Sequence, residues 1–225
     1  MINNFFQNLD WSFLIDIQIS VIPALFCITI HELAHGFTAY SLGDSTAKDM
    51  GRLTFNPIRH IDIFGLLMLA IFKFGWAKPV PVNMRNFKKP KTGMAVTAIA
   101  GPLSNILLAI IVMFIFGLVL TPLGGGGGQG PGWIALAIIQ RIALLNVTLA
   151  AFNLLPIPPL DGSKVVFSFL SDHTYGKLMR YERYGMIVLI LILNTKFFSE
   201  TFGAVTMSVF NRFMNIAQFA YNLVN

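Results

Sequence analysis

Residues 21–36 read VIPALFCITIHELAHG, an apolar run that ends with two histidines and a glutamate. The apolar stretch around them extends from about Trp11 to Leu42, and Pro23 is expected to kink its middle. An ionisable side chain within a membrane segment costs on the order of 2.5 kcal/mol or more, so three of them within residues 31–35 indicate a functional site. The stretch therefore predicts a membrane-spanning helix that contains part of a functional site.

The composition of the whole chain is that of a membrane protein. Of its 225 residues, 55% are hydrophobic and 12% are charged, whereas charged residues make up about 25% of an average soluble domain. Residues 92–140 contain no formally charged side chain. The net charge of +6 is divided among short segments between apolar runs, so we expect cytoplasmic loops and no nucleic-acid surface. Cys27 is the single cysteine, which excludes a disulfide within the chain.

The other apolar segments predict the rest of the membrane architecture. Full spans are expected at residues 92–120, 133–152 and 184–198. Residues 61–76 predict a short or re-entrant helix, because a spanning helix needs about 20 residues. Residues 77–91 contain alternating proline and valine, which suits an edge strand or an extended strip. We expect an all-α polytopic membrane protein with about four to six transmembrane helices and a small membrane-associated β segment.

The basic residues predict the orientation of these segments. If residues 43–60, 77–91 and 171–183 are cytoplasmic, nearly all the basic loop charge lies inside, as the positive-inside rule requires. The uncharged glycine-rich loop at residues 124–132 then lies outside. This topology requires residues 61–76 to enter and leave the membrane by the same face.

We expect a single integral-membrane domain over residues 1–225. Its core is expected at about residues 20–170, followed by C-terminal helices at residues 184–225. Residues 200–225 predict either an interfacial helix or a last crossing, and their pattern leaves both alternatives open.

His31, Glu32 and His35 have the spacing of a helical zinc-hydrolase motif. Because the two histidines are four residues apart, their rings project from one face of a helix and can reach one metal ion. Glu32 is then placed to take a proton from the attacking water and pass it to the leaving amine. A chance match is the alternative, and the cost of these groups in a bilayer argues against it.

Asp161 is the best third ligand, because a catalytic zinc usually takes three protein ligands and leaves one position open. It lies in a proline-rich break, and irregular backbone at membrane depth survives only if it is buried in protein or lines a wet cavity. Taken alone, Asp-Gly is also an ordinary turn signal. The remaining candidates lie in or beside polar loops, where solvated or capping roles are expected: Asp44, Asp49, His60, Asp62, His173 and Glu182.

Asn105 and Asn153 are polar amides in or beside the apolar segments. Asn105 follows small residues, and hydrogen bonding between helices explains it as well as a catalytic role does. Asn153 opens the proline-rich break, where it can cap freed backbone groups. Either amide can also donate to the oxyanion that forms when water attacks a peptide carbonyl.

Three separated segments resemble a known family. HELAHG (31–36), GPLSN (101–105) and NLLPIPPLDG (153–162) are similar, in order and spacing, to the core motifs of the site-2 proteases, zinc metalloproteases that cut peptide bonds within membranes. GRLTFNPIRHID (51–62) and GWAKPVPVN (75–83) resemble connecting elements of the bacterial members. By position, the resemblance implies three zinc ligands, a general base and two amides that hold the substrate strand or the oxyanion. The implied zinc ligands are His31, His35 and Asp161. The implied general base is Glu32, and the implied amides are Asn105 and Asn153.

The resemblance implies an intramembrane zinc endopeptidase that acts on transmembrane segments or remnant signal peptides. It implies one zinc ion per chain, membrane-protein substrates and the lipid bilayer as partners, and a multi-pass cell-membrane protein whose active site faces the cytoplasmic side. The strip at residues 77–83 resembles a segment that presents unwound substrate by edge pairing. Many members of that family carry PDZ or CBS domains, for which this chain has no room, so the resemblance does not indicate how substrates are selected. The sequence does not indicate an oligomeric state.

Two other functions fit parts of the sequence. A membrane-anchored metalloprotease with a cytosolic catalytic domain needs a large soluble domain, and the polar segments here are too short to form one. A metal-binding transporter, or a non-catalytic scaffold that binds transmembrane helices, belongs to a different class. The intact Glu32 argues against the scaffold, and the lack of an evident inverted repeat argues against the transporter.

Overall fold

The computed structural model of the protein describes residues 11–65, 77–124 and 131–225. These residues are mostly helical, and no extended β-ladder occurs among them. The α-helices with determined bounds are α1 (Trp11–Ser41), α2 (Thr46–Asp49), α3 (Pro90–Gly124), α4 (Pro131–Asn153), α5 (Asp161–Phe167), α6 (Asp172–Leu193) and α7 (Lys196–Val224). Short 3-10 helices occupy Pro57–His60 and Met84–Asn86.

Three helical segments in the described part of the chain are long and apolar enough to cross a membrane. They are Val21–Ser41, Pro90–Gly124 and Gly132–Asn153. The number rises to four if Tyr184–Leu193 and Lys196–Val224, which meet at a bend of 82°, form one broken span. The membrane helices are therefore found, but the expected number of four to six is not confirmed. The helix expected at residues 61–76 falls mostly outside the described residues.

Helix α3 is the centre of the bundle and packs against α1, α4, α5 and α7. Its packing against α7 is close, because a Cβ atom added at Gly117 would lie 2.1 Å from the backbone oxygen of Ala217. Small residues allow such approaches between membrane helices, where tight packing replaces the hydrophobic effect. The buried cluster shared by α3, α4 and α7 consists of Ala109, Val112, Met113, Phe116, Leu136, Ala143, Val147, Phe210 and Ala217.

Residues 77–83 form an extended strip beside the end of α1. Helix α1 is followed by Gly43 in the left-handed region, with φ of 105°, which glycine adopts without steric cost. The strip forms an isolated antiparallel bridge between Ile61 and Ala77, and Lys78 N donates to the His60 carbonyl at 2.9 Å. The expected β segment is thus extended chain with one bridge, and a strand is not confirmed.

The proline-rich break between α4 and α5 folds back tightly on itself. A Cβ atom added at Gly162 would lie 2.2 Å from the Leu154 oxygen, so the start of α5 touches the start of the break. Prolines cannot continue α4 because they lack an N–H and clash with the preceding turn. The break therefore ends α4 at Asn153 and places Asp161 in the first turn of the next helix.

Candidate active site

His31 and His35 project from α1 toward Asp161, which begins α5. The two Nε2 atoms are 3.0 Å apart. Asp161 Oδ2 lies 3.2 Å from His31 Nε2 and 3.1 Å from His35 Nε2. All three residues are buried, with at most 8% of their surface exposed. Side chains from two distant segments therefore converge on one point inside the helical bundle.

The three atoms suit a single small metal ion. A tetrahedral zinc with bonds of about 2.0–2.1 Å separates its ligand atoms by about 3.3 Å, which is close to the distances seen here. Two imidazoles and a carboxylate form a common catalytic zinc set, in which a fourth position stays open. Elsewhere in the described ranges, no other group of three or more His, Cys, Asp or Glu side chains comes together in this way.

The second nitrogen of each histidine also has a partner. His35 Nδ1 lies 2.7 Å from the Thr97 carbonyl oxygen, to which it donates a hydrogen bond, and in the neutral imidazole this leaves Nε2 as the unprotonated nitrogen. His31 Nδ1 lies 3.1 Å from the side-chain amide of Asn105, which is fully buried. Rotating that amide by 180° presents Oδ1, which has no other partner among the described residues, as the acceptor that a metal-binding histidine needs.

Gly101 leaves the space that the two imidazoles occupy. A Cβ atom at this position would lie 2.4 Å from His35 Nε2 and 2.6 Å from His31 Cε1. Such distances are far below ordinary van der Waals contact, which begins at about 3.5 Å between carbon atoms. The glycine of the GPLSN segment is therefore required for α3 to approach α1 at the cluster.

Glu32 points its carboxylate toward the extended strip. Its Oε2 accepts a hydrogen bond from Val80 N at 2.7 Å, and the side chain is half-buried. Lys164, one turn after Asp161, places Nζ 3.5 Å from Asp161 Oδ1, while Oδ2 faces the histidines. The predicted base and the three predicted ligands are thus brought into one region.

Asn153 has a different environment from Asn105. Its Nδ2 donates to the Leu149 carbonyl at 3.0 Å within α4. Among the described residues, its side chain makes no hydrogen bond to the histidines or to Asp161. Asn105 contacts His31 directly, so the structure brings one of the two predicted amides into the cluster.

Asp44 and Arg52 are buried polar residues to which the sequence assigns no catalytic or metal-binding role. Asp44 was expected to be solvated or to cap a loop, and it does accept from Thr46 N, yet its exposed fraction is 0%. Burial raises the pKa of Asp44, but hydrogen bonds from Thr46, Asn83 and Asn86 oppose it and leave the pKa below its usual value. Both residues contact the extended strip, which no local sequence pattern reveals.

The chain is similar to known protein families and proteins. The model of peptidase family M50 matches residues 128–194, which contain Asn153 and Asp161. A Bacillus subtilis protein named "Putative zinc metalloprotease YwhC" is 42% identical over 178 residues, which cover 78% of this chain and 80% of that protein. The chain belongs to peptidase family M50. This result confirms the resemblance to the site-2 proteases.

Two further relatives have names that agree with this assignment. The Mycolicibacterium smegmatis protein named "Putative zinc metalloprotease Rip2" is 27% identical, with 76% of this chain and 64% of that protein covered. The Methanocaldococcus jannaschii protein named "Putative zinc metalloprotease MJ0611" is 32% identical, with 60% and 62% covered. No solved structure matches the chain. The M50 family and the apolar helices together support a membrane metalloprotease.

Proposed function

We propose that the protein is an intramembrane zinc endopeptidase that hydrolyses peptide bonds within or near transmembrane segments of membrane proteins or remnant signal peptides. The observation that carries the proposal is the convergence of His31, His35 and Asp161 within a bundle of apolar helices. Soluble metalloproteases have no need to place their ligands on a helix long and apolar enough to span a bilayer.

The ligand set and its surroundings define a division of roles. His31, His35 and Asp161 would hold a zinc ion, which when bound would supply Lewis-acid activation of water and of the scissile carbonyl. Thr97 and Asn105 orient the two rings through their second nitrogens, which fixes the tautomer that leaves Nε2 free.

Glu32 acts as the general base in this proposal. Its carboxylate takes the proton from the attacking water, holds it, and delivers it to the leaving amine.

The oxyanion or substrate roles of Asn105 and Asn153 remain predictions. Asn105 contacts His31, which favours a role in orienting that ligand, whereas Asn153 at the end of α4 is proposed to hold substrate.

The site lies toward the C-terminal end of α1. His35 lies six residues before Ser41, where the helix ends, and at 1.5 Å per residue this is about 9 Å along the axis. By the same rise His31 lies about 15 Å from that end. The basic segment at residues 43–60 follows directly, so we propose a site nearer the cytoplasmic face of the cell membrane.

The substrate is proposed to be a transmembrane span that unwinds locally before cleavage. A helix keeps its peptide groups in backbone hydrogen bonds, so an intact span offers no free carbonyl to attack. The extended strip at residues 77–83 lies beside Glu32 and is proposed to pair with the unwound segment.

The proposal is tested with purified protein in proteoliposomes that contain a model single-span substrate. We expect about one zinc per chain by mass spectrometry and cleavage of the substrate. Glu32→Gln should keep the zinc and lose cleavage, because the ligands are intact and the base is absent. Glu200→Gln, which changes an exposed carboxylate on α7, is the matched control. Normal cleavage by Glu32→Gln would refute the assignment of the base and favour a different chemistry.

A further inference from the structure

Residues 78–83, the part of the extended strip that is called the proline strip below, contact Glu32. The Val80 N–H donates to Glu32 Oε2 at 2.7 Å, and this is the one hydrogen bond of the Glu32 carboxylate among the described residues. The Val80 side chain is 6% exposed and packs beside Gly36, one turn beyond Glu32 on α1.

Arg52 holds the first part of the proline strip. Its Nη2 donates to the Lys78 carbonyl at 2.8 Å and to the Pro79 carbonyl at 3.3 Å. The side chain is only 7% exposed, and it forms no ion pair within the described part of the chain. Burying a charge without a counter-ion is costly, so a guanidinium placed on two backbone carbonyls indicates that their position matters.

Asp44 holds the other end of the proline strip. Its Oδ2 accepts from Asn83 N at 2.7 Å, and its Oδ1 accepts from Asn86 Nδ2 at 2.6 Å. The same carboxylate accepts from Thr46 N, which joins the strip to the chain that follows α1. Two buried charges of opposite sign therefore hold the two ends of one short segment.

The residues between these two ends are stiff. Pro79 and Pro81 have fixed φ angles and no N–H. Val80 is consequently the only one of residues 79–81 with a backbone donor, and that donor contacts Glu32. A stiff segment fixed at both ends holds this donor in place more firmly than a free loop would.

We propose that Asp44 and Arg52 are positioning residues for the general base, acting through the proline strip on the Glu32 carboxylate. The inference rests on the proposed function, because the position of Glu32 matters to catalysis only if Glu32 is the base. Without the hydrogen bond from Val80 N–H, the flexible Glu32 side chain samples several rotamers and spends less time in the rotamer that can take the proton. The metal ligands are untouched by this change, and the Val80 N–H that is lost faces Glu32 and is not free to pair with substrate.

The first test removes the N–H itself. Val80→Pro deletes the donor, and the extended backbone before Pro81 suits a proline. Val80→Ala keeps the N–H and is the reference for the lost side chain. Relative to Val80→Ala, Val80→Pro should lower kcat about ten- to hundredfold, with KM changed less than about twofold and zinc content unchanged.

The second test removes the two buried charges. Arg52→Met and Asp44→Asn should lower kcat more than KM, while Arg59→Met and Asp49→Asn, at exposed positions nearby, are the matched controls. Because both residues act through one strip, the Arg52→Met/Asp44→Asn double variant should have a kcat within about threefold of that of the single variant with the lower kcat. Arg52→Lys, which keeps a cation for one carbonyl, should recover part of the loss and also serves if Arg52→Met does not fold.

The outcomes separate this inference from the proposed function. Wild-type protein that cleaves no span refutes the proposed function and, with it, this inference. If wild type cleaves and Glu32→Gln does not, equal kcat values for Val80→Pro and Val80→Ala overturn the positioning role alone. The Arg52→Met and Asp44→Asn variants can also lose zinc or thermal stability in proportion to their loss of kcat. If they do, and Arg52→Lys recovers none of the loss, Arg52 and Asp44 serve folding only, and the positioning role is overturned.

Discussion

Gly101→Ala tests whether α3 must approach the two histidines as closely as the structure shows. The added Cβ would lie 2.4 Å from His35 Nε2, 2.5 Å from His35 Cε1 and 2.6 Å from His31 Cε1. Contact between such atoms needs about 3.5 Å, so the overlap is about 1 Å. The rings or the two helices must move by roughly this distance to admit one methyl group.

The size of the effect follows from the tolerance of a zinc site. Metal–ligand distances are held to about 0.2 Å, so a 1 Å displacement of two ligands is about five times too large. Loss of a single orienting partner already costs about 10–100-fold in metal affinity, and we expect at least about 100-fold here. The opposing effect is helix propensity, because alanine in place of glycine stabilises a helix interior by about 1 kcal/mol.

These two effects act on different measurements. Zinc affinity is measured by competition with a fluorescent chelator, and folding by circular dichroism and thermal unfolding. Gly101→Ala should remain helical and lose zinc. Gly203→Ala in α7, where an added Cβ meets nothing within 4 Å, is the control and should keep its zinc affinity. A Gly101→Ala protein that binds zinc within threefold of wild type would refute the close approach of α3.

Three further predictions concern the third ligand, the bundle and the loop after α1. Asp161→Ala should lower zinc affinity at least about 100-fold, and full zinc occupancy by this variant would show that another residue is the third ligand. Gly117→Ala should destabilise the bundle by about 1–3 kcal/mol, since its Cβ would overlap Ala217, and an unchanged unfolding midpoint relative to Gly203→Ala would contradict this packing. Hydrogen bonds hold the pKa of Asp44 below its usual value despite its burial. Its stabilising effect is therefore present above the pKa of the unfolded chain, about pH 4, and is lost as the pH falls further, so Asp44→Asn should lose less thermal stability than wild type when the pH is lowered below about 4.

The convergence of His31, His35 and Asp161 could be predicted from sequence, because the spacing of the histidines is a local signal and burying an ionisable group in a bilayer is costly. His31 and His35 share a helix face by spacing alone, which needs no knowledge of the fold. Asp161 is far away in sequence, but a carboxylate in a proline-rich break between apolar segments is costly enough to need a partner. The membrane helices themselves follow from long uncharged runs, because a bilayer tolerates little else.

The residues around the cluster could not be predicted in the same way. Asp44 and Arg52 lie in a polar segment, where charged side chains need no special explanation, and their burial depends on how the proline strip folds over α1. The prolines predicted extended chain at residues 77–83, but its contact with Glu32 is tertiary. Gly101 is one of the small residues of the GPLSN segment, and its closeness to both imidazoles depends on how α1 and α3 pack, which the sequence does not show.

The central claim is that the protein cleaves peptide bonds within the membrane, and mapping the cut tests it most directly. Purified wild type and Glu32→Gln are incubated in proteoliposomes with a single-span substrate, and mass spectrometry identifies the new termini. We expect wild type to produce termini inside the apolar span, in its cytoplasmic half, and Glu32→Gln to produce none. Termini found only in the polar flanks, or the same termini from both proteins, would contradict the account.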